Sequence, residues 1–312
     1  MIKRIFILFV LMTNLGVWLT GQKVVEVNKY PKIIDNDLIF YGDKCDWDKD
    51  AVHTFSIVEA NKDGYKYWAY YGLDHYNEKD PHIRKGGLAR SNDLENWEKY
   101  DFNPIINSNC RWPTVVYHNE IFYMFYAEYN DYGDSQIVMV SSDNGIDFDH
   151  KVVIAPYVKG EQNQNPFIYF DKRDQHFYLF YYNGTERAKS NKRWSIYLKK
   201  SADIDGLKSA EPIEVLSSKG TMAAPSVAFY NNTYYLLVEE FNDSKAQDRW
   251  VTNAFYSNRI DGGYKRVENN PVLWNNDACA FQYVFDGKLY FTYSHALKLS
   301  ESKWNLRMVK LQ

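Results

Sequence analysis

One pattern recurs five times along the 312-residue chain. In each copy an apolar strand is followed by a polar or glycine turn and then by a strand rich in aromatic residues, as in "WPTVVYHNEIFYMFYAE". The copies are anchored on Phe55, Pro113, Pro166, Pro225 and Phe281, which are separated by 58, 53, 59 and 56 residues. Each copy has the pattern of a β-hairpin. The chain is therefore predicted to repeat one supersecondary unit.

Most copies continue into a third strand, and short segments such as "NPIIN", "KVVIA", "EPIEVL" and "NPVLW" predict a fourth. Five units of about four strands predict an all-β fold: a five-bladed β-propeller with four-stranded antiparallel blades around a central channel. We expect a single domain over residues 23–312, with no helical period. Residues 24–42, which precede the first copy, are expected to complete the last blade and to close the ring, which hides its edges.

Charge and composition narrow the classes of molecule that this chain is expected to bind. The formal net charge is -3, so the chain has neither the basic footprint of a nucleic-acid-binding protein nor a polybasic membrane patch. Aromatic residues make up 17% of the chain, with 27 tyrosines. Tyrosine combines a flat apolar face with a polar tip, which suits sheet packing and sugar-binding clefts.

Residues 1–22 have the pattern of a secretory signal peptide: Lys3 and Arg4, an apolar run, and small residues near Gly21. We therefore expect export to a periplasm or the outside, with no other membrane association. The three cysteines are Cys45, Cys110 and Cys279, and an odd number leaves at least one free thiol. A Cys45 to Cys110 disulfide is allowed, whereas the spacings do not match a zinc site.

The repeat also predicts where a binding site lies. In a propeller, the residues before each first strand and after each second strand share one rim of the central channel. The predicted substrate-binding residues at this rim are His53, Arg111, Trp112, Gln164, Asn165, Asn183, Asp277 and His295. The acids near the same rim are Asp48, Asp50, Glu128 and Glu240. Such a polar ring around a depression suits a hydroxyl-rich carbohydrate ligand.

The segments "WDKDAVHTFSIV", "GYKYWAYYG" and "GLARSNDLENWEKY" resemble the first blade of five-bladed glycosidases of glycoside hydrolase families 43, 32 and 130. Later segments resemble the third and fourth blades. The resemblance implies hydrolysis of glycosidic bonds by two acids, with an inverting outcome as the default. It implies that Asp48 or Asp50 is the base, and Asp48 fits the pattern better.

The chain departs from family 43 at two places. Asn165 precedes Pro166 where the family has a second Asp, and Ala223 and Ala224 precede Pro225 where it has the general acid Glu. Glu240, and after it Glu128, is the remaining candidate acid. Glu240 would need a raised pKa, which Glu239 or Asp243 could supply as a neighbouring carboxylate.

Other interpretations remain open. The missing acid is consistent with a propeller that binds carbohydrate without cleaving it. A family 130-like phosphorylase would need a phosphate site, to which Arg84, Arg111 and His75 could contribute. A scaffold without a small ligand is a further possibility. His295 lies near a central His that helps to place calcium or water in some family 43 members, but we expect no cofactor, and the oligomeric state is left open.

Overall fold

The computed structural model describes residues 28–40, 42, 47–49, 52–73, 84–107, 109–184, 194–218, 220–241, 250–274, 277–298 and 303–312. The predicted leader, Cys45, Asp50, His75 and Asp243 lie outside these residues. Within the described part no helix is both long enough and apolar enough to cross a membrane.

The described strands form five successive four-stranded antiparallel units, here called units 1 to 5. Unit 1 contains β2 (Val52–Lys62), β3 (Tyr65–Leu73), β4 (Gly86–Ser91) and β5 (Glu98–Lys99). Unit 2 contains β6 (Arg111–His118), β7 (Ile121–Tyr129), β8 (Ser135–Ser142) and β9 (Asp149–Ala155). Unit 3 contains β10 (Gln162–Asp171), β11 (His176–Gly184), β12 (Trp194–Ser201) and β13 (Ile213–Ser218). Unit 4 contains β14 (Met222–Tyr230), β15 (Thr233–Phe241), β16 (Trp250–Ser257) and β17 (Lys265–Arg266). Unit 5 contains β18 (Asp277–Phe285), β19 (Lys288–Lys298), β20 (Lys303–Leu311) and β1 (Ile33–Phe40).

The units follow one another in a ring of β-propeller type. The first strands contact each other in the cyclic order β2, β6, β10, β14, β18 and back to β2. Units 2 and 3 are joined into one sheet only where Gln162 pairs with Ser135 in parallel. The strand β1 pairs with β20, from Ile33 opposite Leu311 to Phe40 opposite Leu306. The expectation that the segment before the first hairpin completes the last sheet is therefore confirmed.

The aromatic second strands explain why the units pack side by side. In β3, Tyr67 and Tyr71 belong to the core between units 5 and 1, whereas Trp68 and Tyr70 belong to the core between units 1 and 2. Alternate residues of a strand point to opposite faces, so each unit buries both faces. Among the described residues the same arrangement gives one core at each junction between consecutive units.

Every first strand contains the same irregularity near its start. One residue adopts a left-handed backbone, with φ between 47° and 53°, and the register with the second strand shifts there. These residues are Thr54, Trp112, Asn165, Ala224 and Cys279. None is glycine, so each position carries backbone strain of about 1–3 kcal/mol that the surrounding sheet must offset.

Two fourth strands differ from the prediction. The fourth strands of units 1 and 4 are Glu98–Lys99 and Lys265–Arg266, which precede "NPIIN" and "NPVLW". Proline has no backbone N–H to donate to a ladder. After Pro104 and Pro271, these segments therefore keep only isolated bridges, from Ile106 to Gly86 and from Leu273 to Thr252.

The cysteine prediction is also settled in part. Cys110 is a buried free thiol, so the Cys45 to Cys110 disulfide that the sequence allowed is not formed. Burial raises the pKa of the Cys110 thiol above its usual range. Its environment is the apolar core between units 1 and 2.

Lys199 on β12 ties two units together. Its ammonium group donates to the backbone carbonyls of Ile154 at 2.8 Å, Leu207 at 3.2 Å and Lys208 at 3.3 Å. Ile154 lies near the end of β9 in unit 2, while Leu207 and Lys208 lie in a short 3-10 helix of unit 3. Lys199 is 6% exposed, and burial lowers its pKa. A single cation thus satisfies three carbonyls at the junction.

We expect Lys199→Met to lower the free energy of unfolding by about 2–4 kcal/mol, because it removes a buried donor that three carbonyls at the junction share. Chemical denaturation measures the change. Lys200→Met is the matched control on the same strand, since Lys200 is partly exposed and its ion pair with Asp174 contributes about 0–1 kcal/mol. Equal losses of unfolding free energy in both variants would contradict a stabilising role of Lys199 at the junction between units 2 and 3.

Candidate functional site

The strand register brings the predicted rim residues of the units opposite each other. Asp277 pairs with His295, and Asn163 pairs with Asn183. His53 lies opposite Gly72. Residues at the starts of the first strands therefore share an end of the ring with residues at the ends of the second strands. We call this end the axial rim.

The three described acids that the sequence suggested for catalysis each have a cationic partner. The buried Asp48 accepts hydrogen bonds from Lys99 at 2.7 Å and from Tyr71 at 3.1 Å. Glu128 forms an ion pair with Lys151. Lys99 and Lys151 are on or beside the outermost strands of units 1 and 2.

Glu240 of unit 4 also has a cationic partner on an outer strand. It forms an ion pair with Arg266 on the outermost strand and accepts a hydrogen bond from Asn253. The two carboxylates of the predicted pairing, Asp48 as base and Glu240 as acid, thus face cations on different sheets.

The left-handed position that recurs in each first strand allows a comparison with the acids of the resembled family. The position of Asn165, where the resembled family has an Asp, is equivalent to Thr54 in unit 1. Ala223 lies directly before the equivalent residue of unit 4. None of these three side chains carries a carboxyl group. The acids that the resembled family has before the prolines of its third and fourth blades therefore have no counterpart at Asn165 or Ala223.

Another acid does reach the axial rim. Glu239 lies opposite Ala223 in the β14–β15 register, and its Oε1 accepts the backbone N–H of Cys279 in unit 5. The side chain is 7% exposed, and burial raises its pKa to about 7, partly offset by hydrogen bonds from Cys279. A carboxyl group with such a pKa can hold a proton near neutral pH and release it.

A second pair of polar groups lies beside it in unit 5. His295 Nδ1 is 2.7 Å from Asp277 Oδ1, and both side chains are partly exposed. Burial raises the pKa of Asp277, while His295 and then Arg307 oppose the shift. On the other side of His295, the register places the buried Asn305. The Asp277–His295 pair is thus a carboxylate and an imidazole that can share a proton.

The aromatic side of the rim comes from units 2 and 3. The guanidinium of Arg111 lies 4.1 Å from the ring centre of Trp112, and Trp112 packs against the core that contains Tyr182 and Cys279. Tyr182 donates to Gln164 Oε1 at 2.6 Å and stacks on Trp194. Burial raises the pKa of Tyr182, and the charge of Arg111 opposes this shift, so these groups lie within electrostatic range.

The remaining predicted residues have mainly structural contacts. The ring of His53 packs edge-on against Trp304 with centres 5.0 Å apart. Asn183 donates to Glu161 at 3.0 Å and to Asn163 at 2.9 Å. The buried Asn165 occupies the left-handed position of unit 3. All three lie at strand ends of the axial rim.

Sequence reasoning missed Glu239 and Tyr182 as rim residues. The alternation of Glu239 and Glu240 on β15 showed that only one of them faces inward, but not which one. The side-chain contacts decide this, because Glu239 reaches the backbone of Cys279 whereas Glu240 pairs with Arg266. Among the described residues no group of three or more His, Cys, Asp or Glu is arranged to hold a metal ion.

Solved structures share this fold over most of its length. A thermostable family-43 glycoside hydrolase is 15% identical, with 84% of this chain and 90% of that chain aligned and a TM-score of 0.65. An N-acetylgalactosamine deacetylase from F. plautii is 16% identical, with 91% and 94% aligned and a TM-score of 0.65. The catalytic domain of a Coprinopsis cinerea GH62 α-L-arabinofuranosidase is 14% identical, with 90% and 98% aligned and a TM-score of 0.65.

No family model and no curated protein matches the sequence. The likeness to solved structures is therefore one of fold. At that level, the resemblance to family 43 propellers that the sequence indicated is confirmed. The same fold also carries a deacetylase, so chemistry has to be argued from the axial rim.

The raised pKa of Glu239 predicts a pH-dependent effect of Glu239→Gln on stability. A folded-state pKa of about 7 against 4.5 means that the wild-type contribution is full below pH 4.5 and is lost as the pH rises through 7. The stability of the variant relative to the wild type should then increase by about 3 kcal/mol between pH 4 and pH 8.

Urea denaturation of both proteins at several pH values measures this difference. Glu240→Gln is the matched control, because it removes the carboxyl group of the next residue. An equal trend in both variants, or no trend in Glu239→Gln, would contradict the buried environment of Glu239.

Proposed function

We propose that the five units are the five blades of a closed propeller and that the axial rim is the active site of an exported glycoside hydrolase acting on an oligosaccharide or polysaccharide. The shared fold with glycosidases supports the class of reaction. The observation that carries the proposal is the carboxyl group of Glu239, which reaches from unit 4 to the backbone of Cys279 in unit 5.

Glu239 is the general acid in this proposal. A general acid must keep its proton near the working pH and then donate it to the leaving-group oxygen. Burial gives Glu239 a pKa of about 7, which meets this requirement. Its place opposite Ala223 lets the neighbouring strand supply the carboxyl group that Ala223 lacks.

Asp277, supported by His295, is the base that activates water. Asp277 precedes Cys279 by two residues on β18, and two residues of a strand span roughly 6–7 Å. Because Glu239 contacts the amide of Cys279, the two carboxyl groups are expected at a comparable separation. Inverting glycosidases hold their carboxyl groups about 6.5–9.5 Å apart to admit water. The hydrogen bond to His295 orients Asp277.

The other side of the rim positions the sugar. Trp112 offers part of its ring as an apolar platform, and Gln164 and Arg111 offer hydrogen-bond donors beside it. A pyranose or furanose ring has apolar C–H faces and polar hydroxyl edges, so it matches such a surface. The scissile bond would then lie towards units 4 and 5, where Glu239 and Asp277 are.

A carbohydrate-binding protein without hydrolytic activity is the second candidate. It is favoured by Asn165 and Ala223, which carry no carboxyl group where the resembled family has acids. In that case the polar rim would bind sugar, and Glu239 would serve only to fix Cys279. Activity measurements on variants separate the two candidates.

We expect Glu239→Gln and Asp277→Asn each to lower kcat on oligosaccharides by about 10²–10⁴-fold, because each removes one proton-transfer group. Activity on a panel of aryl glycosides and oligosaccharides, with product detection by chromatography, provides the measurement. The loss in Glu239→Gln should be smaller with an aryl glycoside whose leaving group needs no protonation.

Glu240→Gln is the matched control and should change kcat by less than about tenfold, since its carboxylate faces Arg266. A large loss in Glu240→Gln with none in Glu239→Gln would refute the assignment. Sugar binding without turnover in the wild type would replace the hydrolase by the second candidate.

A further inference from the structure

Two arginines converge on one aromatic ring at the axial rim. The guanidinium carbon of Arg111 lies 4.7 Å from the ring centre of Tyr129, and that of Arg84 lies 5.8 Å from the same centre. Arg84 is 8% exposed, and its carbonyl accepts the N–H of Cys110 at 3.0 Å, directly before the start of β6. The junction of units 1 and 2 therefore holds two positive charges close together.

Gln164 adds an independent donor next to Tyr182, which lies within electrostatic range of Arg111 and Tyr129. Its Oε1 accepts the hydroxyl of Tyr182, which fixes the orientation of the side-chain amide. Its Nε2 is buried and has no hydrogen-bond partner among the described residues, and the residue is 2% exposed. A buried N–H group without an acceptor destabilises the folded protein. A ligand that supplies an acceptor atom would remove this cost.

The donors and the carboxyl groups discussed above lie on different units. Arg84, Arg111 and the amide of Gln164 belong to units 1 to 3, whereas Glu239 and Asp277 belong to units 4 and 5, and the unit 2 carboxylate of Glu128 is paired with Lys151. Tyr182 lies within electrostatic range of both groups, since Arg111 lowers its pKa and Glu239 raises it, each as a minor contribution beside burial. A ligand that spans the rim therefore meets hydrogen-bond donors at one end and carboxyl groups at the other.

We propose that Arg84, Arg111 and Gln164 form an oxyanion subsite that binds the carboxylate of an acidic sugar, so that the substrate contains a uronic acid residue. Guanidinium groups bind carboxylates through paired charge-assisted hydrogen bonds. Trp112, beneath Arg111, supports the sugar ring. The identification of the ligand as a sugar rests on the proposed function. The binding of a carboxylate rests only on the hydrogen-bond donors of Arg84, Arg111 and Gln164.

Binding without turnover tests the proposal. Isothermal titration calorimetry with galacturonate and glucuronate oligosaccharides is compared with titration of their methyl esters, which keep the ring and lose the charge. We expect the acids to bind at least tenfold more tightly than the esters. Arg111→Gln should reduce this ratio to about one, and added salt should weaken binding of the acids only. A Glu239→Gln background prevents hydrolysis.

Arg259→Gln is the matched control, because Arg259 is an exposed arginine paired with Asp261, and it should leave the ratio unchanged. Equal affinity for acids and esters in the unsubstituted protein, or an unchanged ratio in Arg111→Gln, would overturn the proposal. Titration with inorganic phosphate distinguishes the other source of an oxyanion: tight phosphate binding with no preference for the uronates would overturn the acidic-sugar assignment. Hydrolysis of neutral glycosides together with no preference for acids would leave the proposed function standing and refute this subsite.

Discussion

Burial of both faces of every sheet is the constraint on which this structure depends. The β3 strand shows it most clearly, because Trp68 and Tyr70 enter one core while Tyr67 and Tyr71 enter the next. A sheet that is apolar on both sides needs a neighbour on each side, and a set of such sheets satisfies this requirement only by forming a ring. The high aromatic content follows from the same need, since large rings fill the wedge between neighbouring sheets. The axial rim exists because the ring gathers strand ends that are far apart in sequence.

Chemistry at the rim is set by two opposed environments. On one side, Arg84 and Arg111 share the ring of Tyr129. On the other side, Glu239 and Asp277 are carboxyl groups whose pKa values are raised by burial. The carboxylates with partners on outer strands, such as Glu128 and Glu240, contribute to their sheets instead. Neighbouring residues on one strand therefore have different roles, which are decided by the face on which each one lies.

The hairpin repeat, the shared rim and the pairing of β1 with the last sheet could be predicted from sequence, because period-two alternation and repeat spacing determine them directly. The fourth strands of units 1 and 4 could not, since Pro104 and Pro271 end the ladder and short neighbouring segments replace it. The acid at the rim was also beyond the sequence. The left-handed residue in each first strand shifts the register, so counting along β14 and β15 does not reveal that Glu239, and not Glu240, faces Cys279.

The pairing of β1 with β20 has a consequence for how the molecule is made. The two strands are almost the whole length of the chain apart, yet the last sheet is incomplete until they meet. During synthesis β1 is made long before its partner β20. Until β20 is made, the nascent chain has an unpaired strand edge and an incomplete core in the last sheet. Contacts of such long range form slowly, and an open edge recruits other chains. Yield in a cell would then depend on what shields that edge during translation, and a ribosome that stalls before β20 would release a chain that cannot close.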